Sequence, residues 1–214
     1  MPRRSTGKSS RPASEPAAPR GQSRWAFVRE FLRSPRELGT AFPCSPAVAR
    51  AMVRGINTSG WRAVVELGSG TGALSGVLSE ALPPGCRFLA VERSAALVAE
   101  FRARWPDLEV VEGDAAEVGA ICRMRGMPSV DAIFSALPLR LLPEGVQDRV
   151  LGGASHLLAP GGLFAQVTYW PRALAAGREM RERVSARIGP IESDRLVAGN
   201  TPPAWVFRCV RPRD

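Results

Sequence analysis

Glu66-Leu67-Gly68-Ser69-Gly70-Thr71-Gly72 follows an apolar run, Ala63-Val64-Val65, and leads into Ala73-Leu74-Ser75-Gly76-Val77-Leu78. A strand, a tight glycine turn and then a helix form a site where main chain meets a nucleotide-type ligand. Glycine lets backbone approach a ligand because no Cβ intervenes, and the start of the next helix offers free N–H groups. An acidic residue opens the motif and no Lys follows its last glycine, so it is not a phosphate loop of the P-loop type. Nor does it meet the dinucleotide pattern GxGxxG, because Gly68-Ser69-Gly70 is followed by Thr71-Gly72-Ala73.

After this motif, short apolar runs and helical patterns alternate. The pattern predicts strands near 63–67, 87–92, 108–111, 129–135 and 162–168, with weaker candidates near 191–198 and 204–210. Helices are expected near 72–81, 94–104, 115–124, 146–157 and 173–187. Another helix precedes the first strand. Ser45 is its N-cap and Pro46 its first residue, and it runs to about Ile56 with Val48, Met52, Val53 and Ile56 inward. Pro160-Gly161-Gly162 reads as a turn between a helix and a strand. This βαβα rhythm implies an α/β fold, a mainly parallel sheet covered on both faces.

Ligands of such sheets sit beyond the C-terminal ends of the strands, where the strand order reverses. The first strand ends in Glu66 and the glycine loop. The second ends in Glu92, followed by Arg93, and an acidic side chain here can accept both hydroxyl protons of a ribose. The third ends in Gly113-Asp114-Ala115, where the carboxylate or an adjacent N–H can read an adenine edge. The fourth ends in Ser135-Ala136-Leu137-Pro138-Leu139. Three acidic groups around a glycine loop repel pyrophosphate and suit a ligand with a ribose, an adenine and a positive charge.

Charge is unevenly distributed. Residues 1–54 hold 11 of the 29 basic residues and 3 of the 20 acidic ones, so the body from residue 55 is nearly neutral. That asymmetry points to an anionic partner, a membrane surface or nucleic acid, or else to a solvated tail. Residues 1–22 are rich in Pro, Ser, Ala and Arg and are expected to be a disordered basic tail. Residues 23–34, with Trp25, Phe27, Val28, Phe31 and Leu32 among arginines, read as an amphipathic helix for the domain or for a bilayer interface. No run is long and apolar enough to span a membrane, and the N-terminus has no apolar signal segment. Cys44, Cys86, Cys122 and Cys209 are scattered and form no CxxC pair, so free thiols in a reducing cytoplasm are expected, with no disulfide framework and no metal.

The set ELGSGTG, Val91-Glu92-Arg93, Gly113-Asp114-Ala115, Ser135-Ala136-Leu137-Pro138-Leu139 and Leu158-x-Pro160-Gly161-Gly162 resembles the class I S-adenosylmethionine-dependent methyltransferases over about residues 40–210. That resemblance implies a Rossmann-like doubly wound sheet of seven strands, mostly parallel with the last strand antiparallel. It also implies S-adenosylmethionine as methyl donor, held by Glu66, Gly68, Ser69, Gly70, Thr71, Gly72, Glu92, Arg93, Asp114, Ala115 and Ser135. A narrower likeness rests on FLRSPRELGTAFPCSP, SALPLRLLP, the Pro-Gly-Gly turn and Gln166-Val167-Thr168-Tyr169-Trp170. These look like the bacterial phospholipid N-methyltransferases, whose acceptors are phosphatidylethanolamine or ornithine lipids. The family typically shows Pro-Ser-Ser where this chain has Pro43-Cys44-Ser45, and Ser-Leu-Pro where it has Ala136-Leu137-Pro138.

Methyl transfer to an amine requires a neutral nitrogen in line with the departing sulfur, so positioning dominates. Ser135 and Leu137 are expected to act through carbonyls of 135–138 that accept amine protons, and Tyr169, the single tyrosine, through a cation–π contact or its hydroxyl. The expected partners are an anionic membrane surface and a lipid substrate, at the inner face of the cytoplasmic membrane. The alternatives are a small-molecule acceptor or an RNA adenine. RNA-adenine dimethyltransferases usually carry Asn-Leu/Ile-Pro-Tyr/Phe at the fourth strand, and Ser135–Leu139 lacks both the Asn and the aromatic that would stack a flipped base.

Overall fold

β1 (Ala63–Leu67) is buried at all five positions, as befits a central parallel strand covered on both faces. The structure, a computed structural model, describes residues 44–213. The expected tail at 1–22, the amphipathic helix at 23–34 and most of the Gly39–Pro46 loop lie outside the described residues.

Among the described residues, seven strands form one sheet in the order β3-β2-β1-β4-β5-β7-β6. They are β1, β2 (Arg87–Glu92), β3 (Val110–Glu112), β4 (Val130–Ser135), β5 (Leu158–Thr168), β6 (Ile191–Val197) and β7 (Ala204–Val210). Pairings from β3 across to β5 are parallel, and β7 runs antiparallel to both β5 and β6. Leu67 lies beside both Val91 and Ser135, and Ser135 beside Gln166. The C-terminal ends of the central strands are therefore level, and the order reverses between β1 and β4.

Side chains alternate across each strand, so each face of the sheet carries its own helices. Val64, Phe134, Ala165 and Val206 pack with α1 (Pro46–Val53) and α2 (Ala73–Ala81). Ala90 and Val110 pack with α3 (Ala95–Arg104) at the outer edge. Val65, Leu67, Ile133, Phe164 and Phe207 pack with α4 (Val118–Met124), α5 (Glu144–Leu157) and α6 (Ala175–Ile188).

Four boundaries differ from the sequence reading. α1 starts as expected, with Ser45 Oγ accepting the Val48 N–H, but it stops at Val53 because Gly55 turns into the left-handed region. Arg208 of β7 donates to the carbonyls of Ala51, Met52 and Arg54 at 2.8–3.0 Å, closing that end. β3 begins at Val110 instead of 108. The fourth expected helix divides into a 3-10 turn, Ala115–Glu117, and α4. Pro160-Gly161-Gly162 does not precede β5 but interrupts it. Pairing with β4 steps from Val130–Leu158 to Ala132–Leu163, and the loop between is pinned by Gly161 N–H to Arg211 O and Arg211 N–H to Gly162 O, both 2.9 Å.

Candidate active site

The glycine loop leaves β1 at the point of strand reversal. Gly68 donates its N–H to Val91 O at 2.8 Å, which fixes the turn against β2. Gly68 and Gly72 have φ of +74° and +82°, where a Cβ is strained, and both are also closely packed. A Cβ on Gly68 would lie 2.7 Å from Leu137 Cδ2, and one on Gly72 would lie 2.4 Å from Trp105 Nε1. Trp105, at the end of α3, donates Nε1–H to Thr71 O at 3.3 Å, and its ring also covers Gly76 of α2. The loop thus has a solid back. A Cβ on Gly70 would meet nothing within 4 Å, so the loop is open on that side.

Two carboxylates flank the loop in different surroundings. Glu66 is wholly buried, with Oε2 accepting from Ser75 Oγ of α2 and Oε1 without a hydrogen-bond partner among the described residues. Burial pushes its carboxyl up to about 8, the Ser75 bond pulls it part of the way back, and the negative charge of Glu92 pushes it further up. Glu92 is partly buried and clamped by backbone. Its Oε2 accepts the Gly70 N–H at 3.0 Å and its Oε1 accepts the Ser94 N–H at 2.9 Å. Each oxygen keeps acceptor capacity for a ligand hydroxyl. Arg93 beside it is exposed.

Asp114 is exposed at the end of β3 and caps the 3-10 turn, with Oδ1 accepting the Ala116 N–H at 2.9 Å. Ala115 is buried below it, and Gly113 N–H bonds Glu92 O at 2.9 Å, joining the second and third strand ends. Ser69 and Ser135 are also buried, and their hydroxyls have no partner among the described residues.

The far side of the site is built from β4, β5 and the β6–β7 connection. Ala136 N–H bonds Leu67 O at 2.9 Å, which lays residues 136–138 across the loop. The expectation for the Leu137 carbonyl needs correction. It already accepts Gln166 Nε2–H at 2.9 Å and Leu139 N–H at 2.8 Å, so both lone pairs are engaged. Leu137 instead contributes its side chain, the wall against Gly68. Pro138 O likewise accepts Leu141 N–H, which leaves Ala136 O as the carbonyl of this turn with no backbone donor among the described residues.

Tyr169 is partly buried and packs in the same cluster as Cys44, Ala47 and Ala136. The Asn200 side chain hydrogen-bonds its hydroxyl, and Asn200 is itself held by Nδ2–H to Pro202 O at 2.7 Å. Burial pushes the Tyr169 hydroxyl up to about 12, helped by the neighbouring Cys44 and opposed by Asn200. Burial also pushes the Cys44 thiol up to about 12, with the charge of Glu66 adding to it. Cys44, Tyr169 and Glu66 therefore share one neighbourhood, and thiol and phenol stay neutral near pH 7. No group of three or more His, Cys, Asp or Glu with metal-binding proximity occurs among the described residues.

Sequence reasoning missed Ser75, Trp105, Gln166, Asn200 and Arg208. Gly76 inside α2 was the one signal for Trp105, since a helix interior favours Ala over Gly by about 1 kcal/mol unless something occupies the space.

Residues 64–162 match the profile of a methyltransferase domain family. The chain is 34% identical over 148 residues to the ornithine lipid N-methyltransferase of Singulisphaera acidiphila, an alignment covering 68% of this chain and 77% of that protein. Among solved structures, it is similar to the fibrillarin of Aeropyrum pernix with natively bound S-adenosyl-L-methionine. There the TM-score is 0.62 at 15% identity, over 76% of this chain and 72% of that one. It is equally similar to the magnesium protoporphyrin IX methyltransferase of Synechocystis PCC 6803 with bound S-adenosylmethionine. That likeness has TM-score 0.62 at 14% identity and covers 91% of this chain and all of that one. At these identities the structural likeness bears on the fold.

Proposed function

The chain belongs to the S-adenosylmethionine-dependent methyltransferases, and from that premise we propose that it methylates the amine of a membrane lipid at the inner face of the cytoplasmic membrane. The enzyme uses S-adenosylmethionine. The site fits that group on its own chemistry: among the described residues Glu66 Oε1, Ser69 Oγ and Ser135 Oγ, in the glycine loop or at the ends of the strands beside it, are buried without a hydrogen-bond partner, and the loop is open at Gly70. Orphaned polar atoms of this kind are costly and call for a polar ligand.

In this reading Glu92 accepts the ribose hydroxyls, while Asp114 and Ala115 meet the adenine. Gly68, Ser69, Gly70, Thr71 and Gly72 lie along the chain of the ligand, with Arg93 at the rim. Glu66 and Ser135 would hold its charged end. When bound there, the group supplies a methyl on a positively charged sulfur. The protein supplies positioning and acceptors. A cationic ligand beside Glu66 favours the ionised carboxylate, reversing the effect of burial. Ala136 O and Ser135 Oγ, which has no partner among the described residues, accept hydrogen bonds from the acceptor's amine N–H groups and stabilise the positive charge that grows on nitrogen. Tyr169, oriented by Asn200 and neutral, presents its ring or hydroxyl to the same nitrogen.

Support for a lipid acceptor comes from the likeness to the ornithine lipid enzyme over most of both chains. The cationic first quarter of the chain fits an anionic lipid surface, and the N-terminal 34 residues are the proposed contact. No helix among the described residues is long and apolar enough to cross a membrane. Expression in a host that makes no phosphatidylcholine, followed by thin-layer analysis of its lipids, tests the reading. New N-methylated aminolipids are expected, and an unaltered lipid profile from a well-expressed, folded enzyme contradicts it.

A further inference from the structure

The turn that leaves β4 carries a cation the methyl-donor half of the site does not use. Leu139–Leu141 forms a 3-10 turn directly after Pro138, and Leu139 is buried in the core shared with α4, α5 and α6. Arg140 projects toward α6, where its Nη2 is 3.9 Å from Glu179 Oε2, with that carboxylate side chain 65% exposed. So long and exposed a pair contributes little. Arg140 Nε is buried and has no hydrogen-bond partner among the described residues.

Neighbouring arginines are engaged. Arg181 grips Asp194 through two hydrogen bonds and holds the carbonyls of Trp170 and Gly177. Arg178 bonds Ala173 O and Arg183 bonds Asp148. Arg140 alone of these four keeps a desolvated guanidinium N–H without an acceptor. A guanidinium fork matches a phosphate or carboxylate and holds it more strongly than it holds a neutral acceptor.

Its place gives that anion a meaning. Glu66, Glu92 and Asp114 follow β1, β2 and β3, on one side of the strand reversal. Arg140 follows β4, on the other side and five residues beyond Ser135. Three carboxylates thus follow the strand ends on the nucleoside side, and the guanidinium of Arg140 follows β4 on the other. We propose that Arg140 binds the anionic group of a zwitterionic lipid headgroup, phosphate or carboxylate, and so sets the amine against the end of β4. This rests on the lipid reading above.

The test compares wild type, Arg140→Gln and Arg140→Lys on phosphatidylethanolamine and on an ornithine lipid in detergent micelles. S-adenosylhomocysteine affinity by calorimetry and the melting temperature serve as folding controls. Arg140→Gln is expected to raise KM at least about tenfold for an anion-bearing lipid, with kcat and nucleoside affinity retained, and Lys restores part of the loss. Loss confined to phosphatidylethanolamine identifies phosphate as the bound group; loss confined to the ornithine lipid identifies carboxylate. Unchanged KM on both lipids overturns the assignment, as does a fall in kcat or nucleoside affinity without a KM effect. If wild type methylates neither lipid, the lipid reading itself fails, and the anchor with it.

Discussion

Glu66 is a carboxylic acid in the middle of a strand whose every other residue is apolar and buried. Folding therefore binds its proton more tightly than the unfolded chain does. The carboxyl moves from an ordinary value of 4.5 to about 8, chiefly through burial. A raised value means the group's stabilising contribution is complete below about pH 4.5 and is lost as pH climbs through about 8. The ligand-free enzyme should melt progressively lower, relative to Glu66→Gln, as pH rises across that window. Parallel melting profiles for the two proteins would show that Glu66 ionises normally. Glu92 is held differently, with its two oxygens each accepting a backbone N–H. Glu92→Ala should weaken S-adenosylmethionine binding at least about tenfold by calorimetry, since hydrogen bonds to charged groups contribute about 1.5–3 kcal/mol each. Near-wild-type affinity would mean the ribose is held elsewhere. The positions of Glu66, Glu92 and Asp114 were legible because apolar runs locate strand ends, and strand ends locate a parallel-sheet site. Trp105, Gln166 and Asn200 were not, because their partners depend on tertiary packing: Thr71 lies 34 residues from Trp105, and Leu137 lies 29 from Gln166. The Leu137 carbonyl was misjudged for the same reason, since the Gln166 amide that fills it comes from another strand.

Among the elements, α2 and α3 act together to hold the glycine loop. The Trp105 ring at the end of α3 fills the space left by Gly72 and Gly76. Gly76→Ala would add about 1 kcal/mol of helix propensity in an isolated helix. Here the new Cβ falls 2.4 Å from Trp105 Cη2, so the variant should instead melt below wild type and bind S-adenosylmethionine more weakly. A higher melting temperature with unchanged affinity would show that Trp105 yields easily and does not brace the loop. Central strands were easy to read, because burial on both faces makes them continuous apolar runs of the kind seen in Ala63–Leu67. β5 was harder. Pro160-Gly161-Gly162 has the composition of a turn, and only the β4 and β7 ladders reveal it as an interruption within one strand. The early stop of α1 is set partly by Arg208, which reaches its carbonyls from 154–157 positions away.

At the scale of the whole molecule, a nearly neutral catalytic body is joined to a strongly cationic first quarter. Each Lys or Arg near an anionic bilayer contributes about 1 kcal/mol, so removing residues 1–34 should reduce co-sedimentation with anionic vesicles while S-adenosylmethionine affinity persists. Equal sedimentation of the truncated and full chains would remove the N-terminus from the docking account. The sheet brings the ends of β1 to β5 to one edge, with Glu66, Glu92 and Asp114 on the side of β1 to β3 and Ser135 and Arg140 following β4. The central claim is that this edge passes a methyl group from S-adenosylmethionine to a lipid amine. The most direct measurement supplies the purified enzyme with methyl-labelled S-adenosylmethionine and, in parallel, a lipid extract, ribosomal RNA and a mixture of aqueous metabolites. Label should enter the aminolipids of the extract. Label appearing only in RNA or in aqueous products would contradict the account.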